Sequence, residues 1–543
     1  MLADDLAVAL ARQPSLTAAD LAPMVGETER MVSFVLLGEH RRFRCATGPP
    51  RRWHLTPAPG RPAPPAPAVV ASGSSTAPGP SGTTSLPAAG PLPAAGLRLY
   101  PWQVDALAAW GRAGRRGVVE AVTGTGKTMV GVAATLAEVE RRGQVLALVP
   151  TVELAQQWVV EMVARLPGGV RVGLLGAGRA DSLTTHDVLV AVVNSARAID
   201  VRPIRPGGLL VADECHRYGS SANHLALDDR FGRRLGLSAT YARDDDGNLA
   251  WLDPYFGGTC FQLGYQRARA DGVTARFTVA LVGVRLSPAE QAIYAELSEA
   301  MGALRARLIR RHGLAAEPFE AFMRAVNSLA DGDGDGAGVA RAWRQAMLER
   351  RRLLAETPAK AAAVAGLAPA VADADRAIVF TQSIPASERA CGVLAAAGLR
   401  AGVVHSGLGR DERRSVLDRF GAGDLDVVAA PRVLDEGIDV PTADLGVIAG
   451  ASRSRRQMIQ RMGRVLRRKP DGRRARFAVL FVEGTVEDPA CGAHEAFLDE
   501  IVDVADRLAA FPADRSAREG DAPAGGAPAG CAALRDALRP SWA

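Results

Sequence analysis

Glu120-Ala-Val-Thr-Gly-Thr-Gly-Lys-Thr128 is the stretch of sequence that decides the fold of this chain. A short apolar run leads into a glycine-rich turn, and the turn is followed by a lysine and a threonine. Glycines in such a turn let the backbone approach a polyphosphate, so that its N–H groups surround the phosphate oxygens. The stretch therefore predicts a phosphate-binding loop between a buried strand and a helix.

The lysine in this loop supports the prediction. Lys127, Lys360 and Lys469 are the only lysines in a chain with 65 basic residues. A compact ammonium group fits between phosphate oxygens where a planar guanidinium does not. We expect Lys127 to bridge the β- and γ-phosphates of a nucleotide and Thr128 to bind Mg²⁺. The alternative is a glycine-rich turn before a helix.

Length and composition limit the protein class. The 543 residues suffice for about three to four domains, and 48% of them are apolar. The apolar runs have the length of strands, and no basic segment with an apolar core opens the chain, so we expect a cytoplasmic protein. The six cysteines include no C-x-x-C pair, which argues against a zinc site. The net charge of +6 fits a nucleic-acid partner, but an arginine-rich proteome explains it equally well.

Changes in composition divide the chain into six segments. Residues 1–56 predict three helices, with Thr17 capping the second, and a basic two-stranded wing. They resemble a winged helix-turn-helix, and a packing or protein-binding module is the alternative. A linker rich in Pro, Ala and Gly is expected at 57–96, and a low-complexity, disordered tail at 513–543. Apolar strands alternate with helices in 97–265 and again in 359–512, which predicts two parallel α/β sheets joined by a largely helical connector at 266–358.

A second motif lies one nucleotide-domain length after the loop. The segment Leu209-Leu-Val-Ala-Asp-Glu-Cys-His216 predicts a buried strand that ends in two adjacent carboxylates. Asp213 at the strand tip is suited to hold Mg²⁺, and Glu214 to orient and deprotonate an attacking water. The alternative, a solvated acidic strand end, does not explain this spacing.

Together with five further motifs, these two resemble the ordered motif set of a superfamily 2 helicase. The further motifs are Arg98-Leu-Tyr-Pro-Trp-Gln103, Pro150-Thr151 with Gln157-Trp158, Ser238-Ala-Thr240, Val433-Leu-Asp-Glu-Gly-Ile-Asp-Val-Pro441 and Gln460-Arg-Met-Gly-Arg-Val-Leu-Arg467. Ile378-Val-Phe-Thr-Gln382 resembles the opening of the second lobe. The final motif and Arg243-Asp-Asp245 resemble the xeroderma pigmentosum B-type and restriction-enzyme branch, whose Arg-Glu-Asp element has glutamate where this chain has Asp244.

The resemblance implies two tandem RecA-like domains with a helical insert between them and a role for each motif residue. Gln460, Arg464 and Arg467 lie at helical spacing, so they share a face that would meet the γ-phosphate across the cleft. Catalytic roles fall on Glu214, Gln460, Arg464 and Arg467. Nucleotide contacts fall on Gln103, Thr123, Gly124, Thr125, Gly126, Lys127, Thr128, Gly437 and Asp439. Thr151, Ser238 and Thr240 would contact nucleic acid or couple hydrolysis to movement.

The resemblance therefore predicts an ATP- and Mg²⁺-dependent DNA helicase or double-stranded DNA translocase. Two alternatives remain, a nucleotide-dependent switch that recruits a separate nuclease or repair partner, and an RNA helicase. None of the three lysines stands in a His-x-Lys or acidic-x-Lys pair, so the chain lacks the motifs of the commonest fused nucleases. Any DNA cleavage would then come from a separate repair or defence subunit, or from a nuclease that uses no lysine.

Overall fold

A computed structural model of the protein divides into two compact units, Met1–Leu92 and Pro93–Ala543. It describes residues 2–13, 15–25, 32, 36, 43–45, 53–55, 97–199, 201, 203, 205, 207–243, 245–317, 319–431, 443–450, 463, 465–469, 471–491, 504–511, 513, 534 and 538. The linker predicted at 57–96 lies wholly outside these residues.

The N-terminal unit contains helices and a small antiparallel sheet. Helix α1 (Leu2–Arg12) is followed by α2 (Ala18–Val25), and β1 (Phe43–Cys45) pairs with β2 (Trp53–Leu55). The side chain of Thr17 accepts the backbone N–H of Asp20 at 3.1 Å, which confirms the predicted cap of the second helix. Of the third predicted helix the structure describes two residues, and both are helical and buried.

The first lobe of the larger unit is built on a parallel sheet flanked by helices. Its strands are β3 (Arg116–Ala121), β4 (Val145–Val149), β5 (Val172–Gly176), β6 (Arg179–Ala180), β7 (Val188–Val192), β8 (Leu209–Asp213), β9 (Arg233–Ser238) and β10 (Thr259–Leu263). Its helices are α3 (Pro101–Arg112), α4 (Lys127–Glu140), α5 (Val152–Arg165), α6 (Val193–Ala196), α7 (Asp253–Phe256) and α8 (Tyr265–Ala270). The strand order is β10-β3-β9-β8-β4-β7-β5-β6, and only β6 is antiparallel to its neighbour.

This strand order places the predicted motifs together. The phosphate loop follows β3, the Ser-Ala-Thr motif follows β9, and the acidic pair ends β8, so three adjacent strands deliver three motifs to one edge. Ligands of open α/β sheets bind at this carboxyl edge. Strands β4, β7 and β8 are buried at every residue, which explains why they read as continuous apolar runs rather than alternating ones.

The second lobe is a seven-stranded parallel sheet among the described residues. Its strands are β11 (Phe277–Val284), β12 (Ala377–Thr381), β13 (Ala401–Val403), β14 (Val427–Pro431), β15 (Leu445–Ile448), β16 (Ala475–Val482) and β17 (Arg507–Phe511), in the order β13-β14-β12-β15-β16-β11-β17. Its helices are α12 (Pro358–Gly366), α13 (Ala368–Ala372), α14 (Ile384–Ala396) and α15 (Arg410–Ala422).

The predicted boundary at 359 is wrong in one respect. Strand β11 lies in the segment assigned to the connector, yet it pairs with β16 on one side and β17 on the other. The second lobe therefore takes one of its central strands from the chain before the helical insert, and the insert interrupts this lobe.

Three helices form the insert, which was predicted to be largely helical. They are α9 (Pro288–His312), α10 (Phe319–Asp331) and α11 (Ala337–Glu356), and they enclose a separate apolar core that includes Leu308, Phe322 and Trp343. A capping box between Ser287 and Glu290 starts α9. In the part of the chain that the structure describes, no helix has the length and apolar character needed to span a membrane.

The C-terminal segment contributes to the core of the second lobe. Leu534 and Leu538 are buried in its main apolar cluster, and the backbone oxygen of Leu538 accepts a hydrogen bond from Arg476 at 2.8 Å. Arg476 is itself buried and paired with Asp444 at 2.7 Å. The prediction of a disordered tail is therefore wrong for these two leucines, whose burial repays the entropy of ordering them.

Candidate active site

The phosphate loop has the backbone conformation that its glycines predict. Strand β3 ends at Ala121, and Gly124 and Gly126 have φ angles of 81° and 84°, in the left-handed region that favours glycine. Gly126 caps α4, whose first two residues are Lys127 and Thr128. The N–H groups of this helix start are free of intrahelical partners by geometry, so the loop forms a cradle suited to an anion.

Lys127 lies between the loop and the acidic pair. Its Nζ donates a hydrogen bond to the carbonyl oxygen of Ala121 at 2.8 Å, which folds the side chain back over the loop. Burial lowers the pKa of Lys127, and the nearby carboxylates of Glu214 and Asp213 oppose that shift. The structure thus brings together the lysine and both acidic residues that the sequence predicted as partners.

Gln103 reaches the loop from α3. Its Nε2 donates to the carbonyl oxygen of Gly126 at 2.9 Å, and its Oε1 accepts the backbone N–H of Tyr100 at 2.8 Å. The side chain is 1% exposed. Gln103 therefore buttresses the loop here, and its role as a reader of the adenine base stays a prediction.

The acidic pair is held by Trp158, a motif residue to which the sequence analysis gave no role of its own. The indole Nε1–H of Trp158 donates to Asp213 Oδ2 at 2.8 Å, while the N–H of Glu214 donates to Asp213 Oδ1 at 3.0 Å. Burial raises the pKa of Asp213, and the indole hydrogen bond counteracts this by favouring the carboxylate. Gly131 of α4 makes room for the indole, because a Cβ there would lie 2.5 Å from Trp158 Cη2.

Glu214 adopts a conformation that is uncommon for a side-chain-bearing residue. Its φ is 49° and its ψ is 48°, in the left-handed region. Such conformations cost on the order of 1–3 kcal/mol and concentrate at functional sites. This backbone turn directs the chain from the tip of β8 into a 3₁₀ turn at Cys215–Gly219.

A chain of polar contacts connects Glu214 with the Ser-Ala-Thr motif. His216 Nδ1 lies 3.4 Å from Glu214 Oε2 and 3.0 Å from Ser238 Oγ, and Ser238 Oγ donates to the carbonyl oxygen of Thr240 at 2.7 Å. All of these side chains except that of Glu214 are buried. The imidazole is thus a physical link between β8 and the end of β9. The sequence analysis included His216 only as the last residue of the Asp-Glu-Cys-His motif and gave it no role.

Residues of the second lobe lie directly on the phosphate loop. A Cβ built on Gly124 would lie 2.9 Å from the Gly463 carbonyl oxygen and 3.4 Å from Arg467 Cγ. One built on Gly463 would lie 1.7 Å from Thr123 Oγ1. This contact brings Arg467 beside the loop, and its role at the γ-phosphate stays a prediction. Gln460, Arg464, Gly437, Asp439 and Asp244 lie outside the described residues.

Three other contacts complete the arrangement around the motifs. Thr151 caps α5, since its Oγ1 accepts the Leu154 N–H at 3.3 Å, and an ion pair at 3.5 Å joins Glu153 to Arg410 of the second lobe. Thr125 Oγ1 donates to the carbonyl oxygen of Val122 at 2.7 Å and so closes the loop on itself.

Comparison with known proteins agrees with this geometry. A family model described as "Type III restriction enzyme, res subunit" matches residues 96–243, and one described as "Helicase conserved C-terminal domain" matches residues 359–469. The DNA 3'-5' translocase XPB2 of Sulfurisphaera tokodaii is 28% identical over 69% of this chain and 79% of its own length. A Rad25-type protein of Halobacterium salinarum is 31% identical over 72% of this chain and 55% of its own length, and the DNA 3'-5' helicase XPB of Mycobacterium tuberculosis is 24% identical over 72% and 61%.

Two tandem RecA-like lobes, with a phosphate loop on the first and an arginine motif of the second packed against it, define a helicase-type nucleotide-binding protein. The two matched family models fall one on each lobe. The chain belongs to superfamily 2 of the helicases, in the branch of the XPB-type proteins and the helicase subunits of type III restriction enzymes. It spans only about half to two thirds of the length of two of the three relatives above.

Proposed function

We propose that the protein is an ATP-dependent DNA helicase or double-stranded DNA translocase. The observation that carries the proposal is the meeting of Lys127, Asp213 and Glu214 of the first lobe with the Gly463–Arg467 segment of the second at one loop. Two relatives of the chain, a DNA 3'-5' translocase and a DNA 3'-5' helicase, support DNA rather than RNA as the nucleic acid.

The residues present fit a magnesium nucleotide. The left-handed glycines and the start of α4 form the phosphate cradle, Lys127 supplies the cation, and Thr128 with Asp213 supplies one hydroxyl and one carboxylate for Mg²⁺. ATP bound there would supply the γ-phosphoryl group and the energy of its hydrolysis. Gly437 and Asp439 remain proposed contacts to the nucleotide or the nucleic-acid backbone.

The chain's own groups divide the chemistry between them. Glu214 acts as the general base that orients and deprotonates water. It follows Asp213, the proposed Mg²⁺ ligand, in the sequence, and its carboxylate contacts His216. Arg467, with Arg464 and Gln460, neutralises charge on the transferred phosphoryl group. Ser238 and Thr240 couple that event to lobe movement, and Thr151 contacts the nucleic-acid backbone.

The N-terminal unit and the partners complete the proposal. We propose that residues 1–56 form a winged helix-turn-helix that adds DNA affinity, which the helices and the β1–β2 pair support. Any DNA cleavage would come from a separate nuclease or defence subunit, and the protein would act in the cytoplasm. Deleting residues 1–56 should weaken DNA binding and reduce the dependence of affinity on salt. Unchanged binding would favour a packing module.

The decisive experiment measures ATP hydrolysis with no nucleic acid, with duplex DNA, with single-stranded DNA and with RNA. Wild-type protein should be stimulated by DNA, and Lys127→Ala and Glu214→Gln should each reduce the stimulated kcat by at least about a hundredfold. Slow hydrolysis that DNA does not stimulate would support a nucleotide-dependent switch instead. Preferential stimulation by RNA would redirect the proposal to an RNA helicase.

A further inference from the structure

A carboxylate lies where the phosphate loop, the Ser-Ala-Thr motif and the edge of the sheet meet. Glu120 is the penultimate residue of β3, directly before the loop begins. In the sheet it is in register with Ser238 of β9 on one side and with Gln262 of β10 on the other. Every other residue from Val118 to Val122 is apolar and buried, so this acid is the exception within that run.

Both oxygens of Glu120 are used to hold neighbouring strands. Its Oε1 accepts the backbone N–H of Tyr241, the residue that follows Thr240, at 3.3 Å. Its Oε2 accepts a hydrogen bond from Gln262 Nε2 at 3.0 Å. The first bond ties the chain leaving β9 to the base of the phosphate loop, and the second fixes the carboxylate from the opposite side.

The Tyr241 bond gives Glu120 a mechanical path to the catalytic base. Thr240 accepts from Ser238, Ser238 contacts His216, and His216 contacts Glu214. A displacement of the phosphate loop therefore reaches the catalytic base through Glu120 as well as through the lobe interface.

We propose that Glu120 is a positioning residue that couples the state of the phosphate loop to the Ser238–Thr240 segment. This inference rests on the proposed function, because it assigns a part in the same ATP-driven cycle. Glu120 does this through its hydrogen bonds to Tyr241 and Gln262 and not through direct contact with the nucleotide. The two hydrogen bonds hold the carboxylate from opposite sides, so that the loop and the segment after β9 share one fixed acceptor.

The test compares Glu120→Ala, Glu120→Gln and Gln262→Ala with the wild type, with Glu140→Ala as the matched control at the exposed end of α4. For each variant, DNA-stimulated kcat, KM for ATP and ATP consumed per triplex strand displaced from duplex DNA are measured. Thermal unfolding is recorded alongside. Glu120→Ala should lower kcat by about tenfold, leave KM within about twofold and raise the ATP consumed per displacement. Glu120→Gln keeps an acceptor for the Tyr241 N–H and should restore kcat to within about threefold of wild type.

Several outcomes would overturn the inference. One is a Glu120→Ala protein that matches Glu140→Ala in kcat and ATP consumption. Another is a Glu120→Ala protein in which only KM changes. The third is a Glu120→Gln protein that is as impaired as Glu120→Ala. Should Glu120→Ala fail to fold, Gln262→Ala decides, because unchanged coupling in that variant contradicts a role for the fixed carboxylate. If wild-type protein shows no DNA-stimulated hydrolysis, the proposed function fails, whatever the Glu120 variants do.

Discussion

Substituting Gly463 by alanine tests whether the second lobe returns to the phosphate loop during turnover. The new Cβ would lie 1.7 Å from Thr123 Oγ1 and 2.2 Å from Thr123 Cβ. Ordinary contact between such atoms is about 3.5–4.0 Å, so the lobes must separate by roughly 1.5–2 Å at this point. Overpacking of this kind costs about 1–3 kcal/mol, and we expect kcat for DNA-stimulated ATP hydrolysis to fall by about 5- to 150-fold.

A matched glycine in the same lobe separates this effect from the general cost of a methyl group. Gly392 lies inside α14, and a Cβ there meets nothing within 4 Å. Gly392→Ala should leave kcat within about twofold and stabilise its helix by up to about 1 kcal/mol. If a folded Gly463→Ala protein hydrolyses ATP at the same rate as Gly392→Ala, the contact has no part in the cycle and the reasoning fails.

Three further predictions concern the metal carboxylate, the C-terminal segment and the half-buried Lys469. Trp158→Phe removes the indole hydrogen bond to Asp213 and should raise the Mg²⁺ concentration for half-maximal ATP hydrolysis by about tenfold. Leu538→Ala should cost about 2–5 kcal/mol of stability, seen as a lower Tm in thermal unfolding, because the leucine is 1% exposed in the core of the second lobe. Burial lowers the pKa of Lys469 to about 8. Between pH 8 and the ordinary pKa of lysine, the unfolded chain binds more protons than the folded chain, so the free energy of unfolding should rise with pH in that range. Lys469→Met should therefore raise Tm most below pH 8.

The first two of these predictions each have a control residue in the chain. Trp343→Phe, in the core of the insert, should leave the Mg²⁺ dependence unchanged, and an equal change in both tryptophan variants would contradict a specific role for Trp158. Leu249 is 76% exposed, and its replacement by alanine should barely move Tm. A Leu538→Ala protein as stable as that control would show that the C-terminal leucines do not pack as described. A Lys469→Met protein whose Tm follows the wild type at every pH would refute the lysine prediction.

The sequence predicted those parts of the site that depend on local pattern. The loop around Lys127 and the strand that ends at Asp213 each carry their chemistry within nine residues, and both lie where they were expected. The role of Trp158 could not be predicted because it depends on contact with a carboxylate 55 positions away in the sequence. Its apolar surroundings on α5 gave no sign that its N–H had a specific acceptor.

Long-range pairing explains the errors in the domain boundaries. The run Phe277–Val284 is apolar enough for a buried strand, but nothing near it in sequence indicates that its neighbours are β16 and β17. Leu534 and Leu538, four residues apart in an Ala-rich segment, are a weak helical signal, and composition alone favoured disorder.

The position of β11 has a consequence for how the protein is made. On the ribosome, the strands of the first lobe are complete by Leu263, so that lobe can fold while synthesis continues. Strand β11 emerges next, but both of its partners follow the insert and most of the second lobe. Until then its backbone N–H and C=O groups stay unpaired and its apolar side chains stay uncovered. The formation of such non-local contacts is slow. We therefore expect the nascent second lobe, rather than the first, to need chaperone protection. The core of the insert can form before the partners of β11 have been synthesised.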